Sequence, residues 1–266
     1  MAISVLTPAA ASNLITLDRV KLRLGVTDSA SDALLGDFIG SASSAITTYL
    51  GFPLGRQEYL ETLAGNGRSR LYLSMYPVEP ESLALVHGED AVTDVTLTAG
   101  NGEVFRACGW AFYGAGALQD GASNFTASYR AGFLLPGQVS TWEPDATYAR
   151  GEWARSSSPS SVRFECTSAG TSAEAEPTWP DAGDSVVDGS ASWTARTAWE
   201  LPDAFADHVF LEVLTRFKRR NVAGGVASME AEGFSVSYFA TQTAEELLPS
   251  TKAFLDRWRL GRGGVV

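Results

Sequence analysis

The sequence predicts an α+β fold: a helical scaffold carrying a small antiparallel β-sheet region, plus an inserted small all-β module. Three observations lead there. Near both ends of the 266-residue chain, apolar residues recur at three- and four-residue spacing, the period of a helix buried on one face. Between about 57 and 132 the pattern changes to short alternating runs separated by glycine-rich turns, the period of a half-buried strand. From Trp142 to about Thr197 the composition shifts again, to Ser, Ala, Gly and Trp without a long apolar run.

Thr16 is a suitable N-cap for LDRVKLRL, which places Leu17, Val20 and Leu24 on one face and ends at Gly25. A longer helix comes next, from Ser31 to Leu50. Ser29 and Asp32 stand at capping-box spacing before it, and Gly51 and Pro53 stop it. Its apolar stripe includes Leu34, Phe38, Ile39 and Ile46 and is wide, which suits a helix packed on more than one side, by its own fold or by a neighbouring subunit. RQEYLETLAGNGRSRLYL alternates around Gly65-Asn66-Gly67 and reads as a hairpin; VTDVTLTAG, EVFRACGWAFYG and FTASYRAG read as further strands. In the Trp-bearing zone YARGEWA, VRFECTSAG and SASWTA are strand candidates. Pro202 opens a helix ended by Asn221 and Gly224, GFSVSYFA alternates like a strand, and STKAFLDRWRLG is a last helix after a Thr243/Glu246 capping box.

An apolar share of 45% supports a true core, and no apolar run reaches the roughly 20 residues that span a bilayer, so no membrane partner is expected. The N-terminus lacks a basic region and reads as that of a cytoplasmically made, soluble product. Net charge is −11, of which −6 falls between Ser140 and Glu200. So acidic a chain is ill suited to gripping a nucleic-acid backbone, which needs clustered cations to displace counterions. Cys108 and Cys166 are read as reduced core thiols, with a disulfide between them as the alternative. With only two histidines, no metal site and no cofactor are expected. Phosphate-binding, zinc-protease and nucleophile-elbow motifs are missing, and Gly114–Gly121 reads as a turn. No catalytic residue is assigned, and the chain is not expected to be an enzyme.

Two basic features stand out. RFKRR, Arg216 to Arg220, sits where a helix C-terminus would be stabilised by cations, and it also suits an acidic partner surface. In the last helix Phe254, Leu255 and Trp258 lie among Lys252, Arg257 and Arg259, the composition of an interface anchor or of a helix docked on its own core.

These phrases in this order resemble the head-to-tail connector (adaptor) proteins of long-tailed bacteriophages. The resemblance rests on Leu14 to Leu54, on the LYL…YPV phrase from Leu71 to Val78, and on SYRAG from Ser128 to Gly132. The helix from Pro202, the strand from Gly233 to Tyr238 and the Arg-rich terminal helix complete it. It covers 1–137 and 198–266, leaving 138–197 as an inserted β module similar to small modules of phage tail and fibre proteins. That module is also loosely similar to chitin-binding carbohydrate modules, with Trp153 in place of an aliphatic residue and Phe164 in place of a Tyr. The resemblance implies a structural virion protein of the neck that forms a homo-oligomeric ring, a dodecamer in the family. Such a ring docks on the portal and extends the DNA channel without specific DNA recognition. It also attaches the next head-completion, stopper or tail protein. It implies portal contact by Phe254, Leu255, Arg257, Trp258 and Arg259. Subunit contact is expected from Leu34, Phe38, Ile39 and Ile46. The alternative is a carbohydrate-binding surface formed by Trp142, Tyr148, Trp153, Trp179 and Trp193, although in so small a module such aromatics also serve as core.

Overall fold

The computed structural model describes residues 2–110, 125–158, 160, 162–219, 228–231, 234–237 and 247–263. The turn Gly114–Gly121, Asn221, Gly224, Gly233, Tyr238, Thr243 and Glu246 lie outside them. The chain forms two compact units, Met1–Ala11 with Leu54–Glu200 and Ser12–Pro53 with Leu201–Val266.

The first unit opens with β1 (Ala2–Thr7), β2 (Gln57–Leu63), β3 (Arg70–Tyr72), β4 (Ala84–His87), β5 (Asp90–Ala91), β6 (Thr96–Thr98), β7 (Glu103–Phe105) and β8 (Phe125–Ala131). An antiparallel sheet runs β1-β2-β8-β4-β5, and a second sheet runs β3-β7-β6. Alternation in β8 turns Phe125, Ala127, Tyr129 and Ala131 inward, where they meet Leu71, Val104 and Trp110 in one apolar cluster. The predicted hairpin around Gly65-Asn66-Gly67 does not form. Both edges of β2 are taken, by β1 and by β8, so β3 pairs with β7 instead. Glu61 is fully buried in this core and is satisfied there by the Ser74 amide at 3.0 Å, the Ser74 hydroxyl and the Tyr129 hydroxyl at 2.6 Å.

Gly132 (φ 109°) turns the chain after β8, and a Cβ there would lie 2.7 Å from the Gly55 carbonyl oxygen, which requires glycine. Next come β9 (Phe133–Leu134), β10 (Val139–Thr141), β11 (Thr147–Tyr148), β12 (Trp153–Arg155), β13 (Arg163–Ser168), β14 (Gly170–Thr171), β15 (Ser185–Asp188), β16 (Ala191–Arg196) and β17 (Trp199–Glu200). The 138–197 segment thus has its own five-stranded sheet, β10-β12-β13-β16-β15, and its own aromatic cluster. Strands β9 and β17, just before and just after it, pair in parallel through Phe133 with Trp199 and Leu134 with Glu200. The compact units divide along other lines than the expected scaffold and insert, since the first holds both this segment and the β1–β8 sheets.

The second unit is helical: α1 (Leu17–Leu24), α2 (Asp32–Leu50), α3 (Asp203–Arg219) and α4 (Pro249–Gly263), with a β18 (Ser228–Ala231)–β19 (Phe234–Ser237) hairpin. Thr16 Oγ1 accepts the Arg19 amide, and Gly25 and Gly51 close α1 and α2 in left-handed geometry. The Ser29/Asp32 capping box is not made. Ser31 takes the cap position without a side-chain bond, and the Asp32 carboxylate instead pairs with Lys21 at 2.6 Å. Helix α2 packs on α1, α3 and α4, and Arg19–Asp203 (2.6 Å) and Arg23–Asp207 (2.5 Å) tie α1 to α3. Helix α4 runs through Gly261, the expected stop, to Gly263.

Candidate functional site

On α4 the predicted anchor residues divide by face. Leu255 is fully buried in its own unit, and Phe254 and Trp258 are half-buried against Phe205 of α3, with ring centroids at 5.1 and 4.8 Å. Phe254 also stacks on His208 at 4.3 Å. Burial pushes the His208 imidazole below its ordinary value, against the opposing pull of Asp207 and Glu212. Arg257 and Arg259 are exposed, with Arg259 over the Tyr49 ring at 5.1 Å. The aromatic side of α4 therefore closes the unit's own core and the arginines face solvent.

Helix α2 splits the same way. Ile39 (1% exposed) and Ile46 (0%) belong to the core of the unit and are not available to a neighbouring subunit, which corrects their placement on a subunit face. Leu34 (37%) and Phe38 keep exposed surface. With Ser41, Ala45 and Tyr49 they form the outer stripe of α2, at three- and four-residue spacing.

Among its described residues the Trp-rich segment offers no aromatic platform. Trp142, Tyr148, Trp153 and Trp193 are buried, and Trp179 is half-buried and stacked on Phe164 at 3.9 Å. The expectation that these five residues form a surface is thereby corrected: small modules need large aromatics to bury enough area. The buried indoles of Trp142 and Trp193 both donate to Asp188 Oδ2, at 2.8 and 3.0 Å, while Oδ1 accepts the Ala173 amide at 2.8 Å. Trp179 donates to Glu176, which Ser157 also bonds. Partial burial pushes the Glu176 carboxyl up, but these bonds outweigh it and hold it at about 2.

Trp153 points away from that cluster, onto Leu134 and Ala198, with the Arg56 guanidinium over its ring at 4.6 Å. Beside it lies an ionic cluster that no spacing in the sequence announces, because its members come from five separate places in the chain. Buried Glu79 faces Arg56 (2.7 Å), Arg196 (3.4 Å) and Arg130 (3.9 Å), and Glu165 faces Arg196 at 3.1 Å. Arg196 and Glu165 belong to the Trp-rich sheet and the others to the β1–β8 region, so the cluster fastens one to the other.

Strand β1 is a further surface, one that sequence reasoning missed. Its register places Ile3 and Val5 opposite Glu61 and Tyr59, on the inward face of the sheet, yet Val5 is 48% exposed and Leu6 52%. The alternation AISVLT was the available signal. Cys108, read as a core thiol, is exposed and directs its sulfur to Asp94 Oδ2 at 3.3 Å, while Cys166 is buried and both are free. Among the described residues no group of three or more His, Cys, Asp or Glu could hold a metal ion, and no helix is long and apolar enough to cross a membrane.

Leu34 and Phe38 on α2, strand β1 at its sheet edge and the arginines of α4 are thus the exposed features that the predicted site residues and β1 present. Residues 14–82 match the model of the family described as phage gp6-like head-tail connector protein. The matched segment covers α1, α2 and the strands up to the loop before β4, and the match agrees with the resemblance seen in the sequence. Among solved structures, the chain is similar to one in the neck of an empty gene transfer agent (GTA) particle computed with C6 symmetry. That likeness has 13% identity and a TM-score of 0.44, covering 97% of this chain and 95% of that one. A second is in the virion of a native GTA particle, at 16% identity and a TM-score of 0.43 over the same shares. Likenesses with TM-scores this low carry no functional weight. No curated protein matches the chain.

Proposed function

We propose that the protein is a structural virion component of the phage neck, made in the host cytoplasm. It assembles with copies of itself into a ring, docks on the portal, extends the DNA channel, and gives the next neck or tail protein its attachment surface. The observation that carries this is the family match over residues 14–82. Two surfaces support self-association. The outer stripe of α2 leaves Leu34 and Phe38 uncovered, and β1 is a six-residue edge strand without a charge or a proline to block pairing. Portal contact falls to the exposed side of α4, at Arg257 and Arg259. Net charge of −11 suits a channel in which DNA phosphates find few cationic partners.

The test is co-expression with the portal protein of the same particle, with electron microscopy of the purified complex. Rings seated on the portal are expected. A protein that stays monomeric with portal present, and never joins it in micrographs, would overturn the reading.

A further inference from the structure

Within the helical unit, α2, α3 and α4 enclose an open cleft of about 550 Å³ whose chemistry is distinct from the apolar stripe that leads into it. Its α2 wall carries the hydroxyls of Ser41, Ser44, Thr48 and Tyr49, and its cations are Arg216 from α3 and Lys252 from α4. Arg216 is the unusual member. It is half-buried, its one described hydrogen bond is a long one from Nη1 to the Phe38 carbonyl oxygen at 3.5 Å, and it makes no ion pair among the described residues. Burial pushes its guanidinium below the ordinary value. The nearest compensating charge, Glu212, pulls the other way but is already engaged, buried and accepting the Leu248 amide at 2.8 Å. Asp256 is likewise held by the Tyr49 hydroxyl at 2.8 Å.

A guanidinium half out of water that has, among the described residues, only a long carbonyl bond and an already engaged Glu212 nearby is costly, because its desolvation is repaid only in part. Elsewhere this chain pairs its partly buried arginines: Arg19, Arg23, Arg56, Arg106, Arg163 and Arg196 each meet a carboxylate. We propose that the Arg216–Lys252 cleft is a receptor site for a carboxylate side chain presented by a neighbouring polypeptide. The planar fork of Arg216 suits a bidentate carboxylate, and the α2 hydroxyls supply donors for its remaining lone pairs. Two cations recessed behind hydroxyls make a poor track for a nucleic-acid backbone, which gains affinity from many phosphate contacts along an open surface. The site requires only an acidic partner segment, so it stands apart from the ring reading.

The experiment is a titration of the isotope-labelled full chain with triglutamate, read out by amide NMR shifts. Parallel titrations use trilysine, inorganic phosphate and a short oligothymidylate. Saturable shifts with triglutamate, concentrated at Ser44, Thr48 and Arg216, are expected. Arg216→Gln should weaken binding about tenfold, the scale of one charge-assisted pair, and Lys252→Gln should weaken it less. The free Arg216→Gln protein should melt at or above the wild-type temperature, because among the described residues Arg216 makes no ion pair that the change would break. Three outcomes would overturn the proposal: no saturable shift with triglutamate, equal or stronger binding of phosphate or oligothymidylate at the same amides, or a clear drop in melting temperature of Arg216→Gln with triglutamate binding intact. The last would make Arg216 a structural residue.

Discussion

Asp188 accepts from two indoles and one backbone amide inside the Trp-rich sheet, so replacing it strands three buried donors at once. Asp188→Ala should lower stability by about 3 kcal/mol, since hydrogen bonds to charged groups are worth about 1.5–3 each and buried donors left unpaired cost similar amounts. Chemical denaturation monitored by tryptophan fluorescence measures it directly. Two other residues set acid limits of opposite kind. His208 is held below its ordinary value of 6.5, so the unfolded chain binds the proton more readily, and stability contributed by the neutral ring declines as pH falls from about 6.5. Glu176, held at about 2 against an ordinary 4.5, contributes stability above 4.5 that is lost as pH falls from 4.5 toward 2. Melting curves at stepped pH should therefore show one decline below about 6.5 that His208→Phe flattens and a second below about 4.5 that Glu176→Gln flattens. A single unbroken plateau from pH 7 to 3 would contradict both.

Helices were legible because capping and period agree. Thr16, Gly25, Gly51 and Pro202 mark real boundaries, and the stripe of α2 identifies the residues that meet α3 and α4. Strand pairing was less so. The Gly65-Asn66-Gly67 turn promised a hairpin, but pairing depends on which edges remain free, and β2 had already been enclosed by strands distant in sequence. For the same reason β1 went unread, and with it the exposed apolar side chains Ile3, Val5 and Leu6. The candidate surfaces fared alike: periodicity identified the apolar residues of α2 and α4, while only packing separates Ile39, Ile46 and Leu255, which are used internally, from Leu34 and Phe38. At this scale β1 gives a sharp prediction. Replacing Val5 and Leu6 together by Lys should abolish or strongly reduce ring formation on the portal while leaving the melting temperature of the free chain within about 1 °C, because exposed substitutions change stability by under about 0.5 kcal/mol. Unchanged rings would remove β1 from the subunit contact.

At the scale of the whole molecule the Trp-rich β segment is a body of its own, fastened to its neighbours at a few points. The 138–197 stretch has its own sheet and aromatic cluster, and it is bolted to the β1–β8 region by Trp153, Arg56 and the Glu79 cluster. Glu79→Ala should cost about 3 kcal/mol, because Arg56 and Arg196 would then share the half-buried Glu165 alone and Arg130 would lose its carboxylate. Replacing 138–197 by a flexible linker of about fifteen residues, long enough to rejoin the parallel strands β9 and β17, should cost less in the rest of the chain than that single change, since Arg56 and Arg130 keep Glu79 when Arg196 goes. The shortened protein, monitored by circular dichroism, is expected to keep its helices, which lie in the other compact unit.

The parallel pairing of β9 with β17 sets a condition on any such exchange. Two strands that run side by side in the same direction cannot be joined by a tight turn; the chain has to travel back along their length, which takes a dozen or so residues. The position is therefore a cassette slot with a minimum size and no evident maximum. A two-residue graft would tear the clasp open, whereas an unrelated domain of any fold, provided its ends reach the two opposite ends of the clasp, would leave the chain around it as it stands.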